Sequence, residues 1–186
     1  MVSAGEKATL LLAVNGAIWW AGDKHSVGLV DPREARQNKY EPKNEEKYFA
    51  YAFSPYFDPT SYGTYGRMKF KYIKANFNSK RNFAINDANE LCQFGDGIPF
   101  QRLETENRYI YADGGKNFQT LVHVERLPYT WGNIKHGKLG IDIDDEEIKE
   151  QLENLACYDE KKKVFTEPTG IPFFQQVRED VALPKR

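Results

Sequence analysis

Cysteine is scarce in this chain: Cys92 and Cys157 are the only two among 186 residues. A disulfide scaffold needs more, so the fold must be held by its own core. Histidine is equally thin. His25, His123 and His136 never stand at metal-ligand spacing, and neither His-Glu-x-x-His nor Cys-x-x-Cys occurs. A structural metal and a resident cofactor are therefore not expected. Gly115-Lys116 and Gly137-Lys138 have no phosphate loop around them, and no Gly-x-Ser-x-Gly elbow exists. Asp142, Asp144 and Glu146 resemble a calcium loop only in charge, because Glu147 stands where that loop requires glycine. These absences point to a binding protein and not to an enzyme. A catalytic reading would need a concave pocket lined by carboxylates, or one holding His123, with perturbed pKa values.

Charge of one sign is also missing. The 26 basic and 27 acidic residues leave a net charge of -1, so any electrostatic partner must be read from local imbalance. Long apolar runs are limited to Ala8–Gly22, about 15 residues against the roughly 20 that span a bilayer. Asn15-Gly16 at its centre suits a tight turn, which favours paired strands at Thr9–Val14 and Ala17–Ala21 over a short membrane anchor or a buried helix. No Asn-x-Ser/Thr sequon and no basic leader with a cleavage site are found. With the few cysteines, this predicts an intracellular, cytoplasmic protein.

What is abundant is aromatic: 11 Tyr, 12 Phe and 3 Trp, punctuated by 14 Gly and 9 Pro. Aromatics favour strands over helices, so a mainly β chain follows. Strands are expected at His25–Asp31, Tyr48–Phe53 and Arg67–Lys74, and a return strand starts at Phe83–Ile85, with Leu91 and Phe94 continuing the apolar content before a Gly95-Asp96-Gly97 turn. Pro55 and Pro59 are read as chain breaks. Tyr109–Tyr111 and Gln119–Leu127 form a further hairpin candidate across Asp113-Gly114-Gly115-Lys116. One helix is expected from near Asp144, with Ile148, Leu152 and Leu155 at helical spacing and Asp144 with Glu147 as a capping box. Residues from Glu167 onward read as an extended tail. Residues 1–186 are taken as one domain, a β core over about 7–127 followed by a helical and extended appendage. No internal repeat is visible.

The one strong positive imbalance is Arg67–Arg81. Arg67, Lys69, Lys71, Lys74, Lys80 and Arg81 interleave with Tyr65, Phe70, Tyr72 and Phe77, and no acid intervenes before Asp87. Period-two alternation would set Arg67, Lys69 and Lys71 on one face and Met68, Phe70 and Tyr72 on the other. Cations track phosphates and flat rings stack bases, so the stretch fits a single-strand nucleic-acid site. The plainer reading is that Phe70 and Tyr72 fill a core and the lysines are solvated edge protection.

Tyr65-Gly66-Arg67, Tyr72, Asn76, Ala84, Asn89 and Asp96-Gly97-x-Pro99 recur in an order that resembles the bacteriophage single-stranded-DNA-binding proteins with an OB-fold core. Lys24–Leu29 is similar to an early strand of that family, and Glu41–Ser54 faintly follows the segment before its Tyr-Gly-Arg strand. The resemblance covers about Lys24 to Pro99. It departs in a short segment between Asp31 and Tyr48, in everything after Phe100, and in a basic end at Pro184-Lys185-Arg186 where the family often carries an acidic tail. It implies an OB-like antiparallel barrel that binds single-stranded nucleic acid through Tyr65, Arg67, Lys69, Lys71, Tyr72, Lys74, Phe77, Lys80 and Arg81. Protein partners could meet the acidic helix and the C-terminal tail. The alternative is an accessory subunit of a larger assembly, membrane-bound or not, suggested by Ala8–Gly22.

Overall fold

The computed structural model describes residues 1–23, 25–28, 54–57, 68–76, 81–135 and 145–170. The chain forms two compact units, Met1–Lys116 and Asn117–Arg186. The described residues are mainly β, with one short α-helix.

The first unit begins with strands β1 (Val2–Ala4), β2 (Ala8–Leu12) and β3 (Ile18–Gly22), completed by β4 (Ser54–Phe57) into an antiparallel sheet ordered β1-β2-β3-β4. The predicted hairpin is present, with Leu12 opposite Ile18 and Ala8 opposite Gly22. Its turn differs from the expected two-residue Asn-Gly form. The Ala13 N–H donates to the Ala17 carbonyl at 2.9 Å, and the Asn15 side chain accepts from the Ala17 N–H at 3.1 Å. Only Gly16 takes a positive φ, +84°, and a Cβ there would press on Lys69. The turn is therefore set by close approach to the next sheet as well as by its own residues. The strand expected at His25–Asp31 begins as a 3₁₀ turn over His25–Val27, with Ser26 bonded back to the Asp23 carbonyl. Pro55 does not break the chain at its own position: it lies in β4 opposite Trp19, and β4 is an edge strand, where proline is accommodated. The strand expected at Tyr48–Phe53 lies outside the described residues.

The second sheet is an uninterrupted antiparallel meander of β5 (Phe70–Lys74), β6 (Arg81–Asn86), β7 (Leu91–Gly95) and β8 (Ile98–Arg102), in that spatial order. The Asp96-Gly97 turn and the strand at Phe83–Ile85 form as the sequence predicts, and Leu91 and Phe94 lie in a further strand. The alternation through β5 does not. A register shift between Phe70 and Tyr72 puts Phe70 and Ile73 on the same side, both buried in one cluster. Tyr72 is thrown to the opposite face, so the expected grouping of Phe70 with Tyr72 is wrong; an extra residue in one strand inverts the faces beyond it.

The two sheets of this unit meet face to face. Leu10, Leu12 and Ile18 pack with Phe70, Ile73, Ala84, Cys92 and Phe94, and Trp20, Met68 and Phe100 close the margin. Phe100 lies edge-on to Phe70 at 5.7 Å and 5.5 Å from Phe94. Full burial of each large side chain stabilises by about 1.5–3 kcal/mol. β9 (Tyr109–Gly114) then packs against β5 and β6.

The second unit carries β10 (Phe118–His123), β11 (Pro128–Asn133), α1 (Glu146–Glu153), β12 (Tyr158–Asp159) and β13 (Val164–Gly170), with its strands ordered β12-β13-β11-β10. Gly132 holds φ +93° at a bulge in β11, against the Asn117 carbonyl. The helix is where it was expected but one residue shorter at its start. Asp145, not Asp144, caps it, its Oδ1 accepting from Glu147 N at 3.0 Å and Ile148 N at 3.1 Å. Leu152 and Ile148 pack on Phe165, Ile134 and Leu155. The tail expected from Glu167 starts inside a paired strand.

The sheets have distinct ends in their strand orders, and no closed barrel forms among the described residues. The OB-like barrel is thus replaced by separate antiparallel sheets. No helix among the described residues is long and apolar enough to cross a membrane, and Ala8–Gly22 is a hairpin.

Candidate functional site

Of the nine residues expected to grip a nucleic acid, Tyr65, Arg67, Phe77 and Lys80 lie outside the described residues. Lys69, Lys71, Tyr72, Lys74 and Arg81 are described, and the bulge in β5 divides them. Lys69 precedes β5, beside the Gly16 turn, and its carbonyl accepts from Asp87 N at 2.9 Å. Lys71, at the bulge, is exposed. Its Nζ donates to Asn89 Oδ1 at 2.6 Å and approaches the Asp87 carbonyl at 3.5 Å, which ties it to the β6–β7 turn. Asn89 holds φ +64°, a conformation asparagine tolerates better than most residues. Arg81 opens β6 about half-buried, and burial lowers its pKa.

Tyr72 and Lys74 share the face that meets β9. The Tyr72 hydroxyl donates to the Ala112 carbonyl at 2.7 Å, and its ring lies 5.3 Å from that of Tyr111. Lys74 Nζ pairs with Asp113 Oδ2 at 2.9 Å. Asp113 also accepts from the Tyr111 hydroxyl at 3.1 Å and from its neighbour Gly114 N at 2.7 Å. Burial pushes the Asp113 carboxyl up, but the bonds from Lys74, Gly114 and Tyr111 outweigh it and hold the group below its ordinary value. Burial, then the neighbouring Tyr111 and Asp113, raises the Tyr72 phenol.

This arrangement is a clasp between β5 and β9. The Tyr72 hydroxyl is bonded inside the protein and the Lys74 charge is paired with Asp113. What the clasp presents outward is Ile110 and Tyr111, each 42% exposed. Tyr109 and Ala112, on the same strand, are fully buried and anchor it. Ile110 and Tyr111 are thus exposed apolar residues on a braced strand, and tyrosine offers a large rigid area with few rotors. Sequence reasoning flagged Tyr109–Tyr111 as a strand but not as a surface. The outward signal was the pair Ile110-Tyr111, which breaks the alternation of that strand.

A second polar node sits at the far end of the β6–β7 hairpin. Asn86 Nδ2 donates to Glu90 Oε2 at 2.7 Å, Asn86 Oδ1 accepts from Glu90 N at 2.9 Å, and Arg102 reaches Glu90 Oε1 at 3.1 Å. The Asn86 hydrogen bond, more than Arg102, lowers the Glu90 pKa. This node closes a turn. Cys92 is fully buried, and burial raises its thiol to about 12, far from a reactive thiolate. No group of three or more metal-ligating side chains occurs among the described residues.

No family model matches the sequence, and no curated protein matches it. The relationship to bacteriophage single-stranded-DNA-binding proteins is therefore unsupported at the sequence level, and solved structures point elsewhere. The chain is similar to one in the crystal structure of Kap60 bound to yeast RCC1 (Prp20), with a TM-score of 0.57, 12% identity, and 92% of this chain against 36% of that one. It is similar to Prp20p from Saccharomyces cerevisiae, in a structure reported with its binding properties to Gsp1p and histones, with a TM-score of 0.55, 14% identity, and 91% against 37%. The chain thus spans little more than a third of the length of either. These neighbours are RCC1-like β-propeller proteins, not OB-fold proteins, which overturns both the OB resemblance and the single-strand-binding function drawn from it. At this identity the likeness is one of fold.

Proposed function

We propose that this chain is a non-catalytic, protein-binding module built from propeller-type β-sheets. The observation that carries the reading is the stacking of antiparallel four-stranded sheets by their apolar faces, with a fold likeness to Prp20 that extends over nine-tenths of the chain. Propellers are made by repeating such sheets and present loops and strand edges to partners. In the neighbouring structures Prp20 stands with protein partners: bound to Kap60 in one, and reported with its binding properties to Gsp1p and histones in the other. In this chain the clasp of Tyr72, Lys74 and Asp113 stiffens β9 and offers Ile110 and Tyr111 as the contact. The free thiols of Cys92 and Cys157 suit a reducing, intracellular setting.

The test is cross-linking mass spectrometry on the full chain isolated from its native cells, beside a chain carrying Ile110→Ser and Tyr111→Ser. The reading expects cross-links to partner proteins that map to β9 and fade in the variant, whose circular dichroism stays unchanged. Cross-links that ignore β9 would move the site. A chain with no protein cross-links, or one that turns over a substrate, would end the reading.

A further inference from the structure

The turn between β2 and β3 holds an Asn-Gly step, Asn15-Gly16, and no other asparagine of the chain precedes glycine. Val14 and Asn15 at this tip are exposed. Gly16 is fixed from both sides. Its N–H donates to the Ala13 carbonyl at 3.0 Å, and its own carbonyl accepts from Phe70 N at 3.1 Å. A Cβ at Gly16 would come within 2.8 Å of the Lys69 Cβ, so the fold demands glycine after Asn15. The Asn15 side chain is held as well. Its Oδ1 accepts from Ala17 N at 3.1 Å, which folds the amide back along the main chain. The Gly16 nitrogen lies between these two bonded residues, so the same turn brings Asn15 Cγ towards it.

We propose that Asn15 is a self-modification site, converted to an acid through a cyclic imide formed with Gly16. The Gly16 nitrogen gives its proton to a solvent base and attacks Asn15 Cγ. A nitrogen–carbon bond forms, the Cγ–Nδ2 bond breaks, and Nδ2 leaves as ammonia after taking a proton from water. A second water then opens the ring at either carbonyl. One opening gives aspartate; the other gives isoaspartate, with the main chain running through the side-chain carbon. Two features of the turn favour the attack. The Ala17 N–H polarises the carbonyl under attack and is placed to stabilise the oxyanion that develops on Oδ1. Glycine sets no side chain beside the attacking nitrogen. One feature opposes it: the hydrogen bond from Gly16 to Ala13 must open first. That bond closes an exposed hairpin tip, where local opening costs least. Either product adds a negative charge at the turn that meets Lys69. Isoaspartate also adds a backbone atom next to a glycine that is tied to β5 by Phe70. The reaction is separate from the Ile110-Tyr111 surface and does not rest on it.

Peptide mapping by mass spectrometry of the full chain tests it, with the chain held folded at mildly alkaline and at mildly acidic pH and, in parallel, unfolded in guanidinium. The folded chain should convert at Asn15, several-fold faster at the alkaline pH, because the Gly16 nitrogen must lose its proton. Both aspartate and isoaspartate should form. Asn15→Gln, whose longer side chain must close a larger ring, should stay unconverted under the same conditions. A folded chain that keeps Asn15 intact overturns the inference, and conversion confined to the unfolded chain would show that the turn shields the site instead. Conversion to aspartate alone, a rate that ignores pH, or equal conversion in Asn15→Gln overturns it too, because each excludes the ring.

Discussion

At the scale of single residues, two polar groups in the first unit behave oppositely. Asp113 is held by three donors, among them Lys74, and its lowered pKa makes it a source of pH-dependent stability. A carboxyl whose folded pKa lies below its unfolded value stabilises above that unfolded value, about 3.9, and the contribution is lost as pH falls through the folded pKa. Asp113→Asn should therefore reduce stability at neutral pH by a fraction of a kcal/mol to about 1 kcal/mol, since the pair is roughly a third exposed. It should also flatten the acid limb below about pH 3.9. Urea unfolding at pH 7 and at pH 3 compares the two; equal losses at both would contradict the assignment. Gln93 is the counterexample. It is 6% exposed in β7, and its Oε1 has no partner among the described residues. Removing a buried orphan acceptor removes a desolvation cost, so Gln93→Met should stabilise by about 1 kcal/mol, read from the denaturant midpoint. The residues of the clasp were half legible: the cations and aromatics of β5 stood out, but their partner Asp113 lies 39 positions from Lys74 and only the fold joins them.

At the scale of elements, strands and the helix were visible where hydrophobic period and turn residues agreed. The Ala8–Gly22 hairpin, β6 and α1 are of that kind. Reading failed where tertiary context set the backbone. The Phe70–Tyr72 shift inverts the faces of β5, and nothing in Arg-Met-Lys-Phe-Lys-Tyr-Ile-Lys announces a bulge. Pro55 reads as a break, yet an edge strand accepts it. β11 was missed because Pro128 and Gly132 look like loop residues; Gly132 is there because φ +93° and the Asn117 carbonyl leave no room for a Cβ. Gly132→Ala should cost about 2 kcal/mol or more, and hydrogen exchange should show the loss concentrated in β10, β11 and β13. The helix cap is a milder case: Asp145→Ala should cost about 1 kcal/mol and fray only the first turn of α1.

At the scale of the whole molecule, sequence pattern was least informative. The sheets share a plan but no visible motif, so no internal repeat is legible in the sequence, and the resemblance over Lys24–Pro99 implied a barrel instead. The plan is carried by where strands turn and which face is apolar, and both can be met by many residue sets. The distinction has a direct consequence for charge. A single-strand binder must hold cations free to release counterions from phosphates. Here Lys71 is bonded to the β6–β7 turn, Lys74 is neutralised by Asp113, and the whole chain carries -1. Titration of a labelled single-stranded oligonucleotide at about 150 mM salt should accordingly show no binding tighter than about 10⁻⁴ M, the weak end of non-specific association. Reversing the sign of Lys69, Lys71 and Lys74 together should leave that result unchanged. Tight, salt-sensitive binding that the triple reversal abolishes would mean that the cations of β5 are available to a polyanion, and that the clasp with β9 opens in solution.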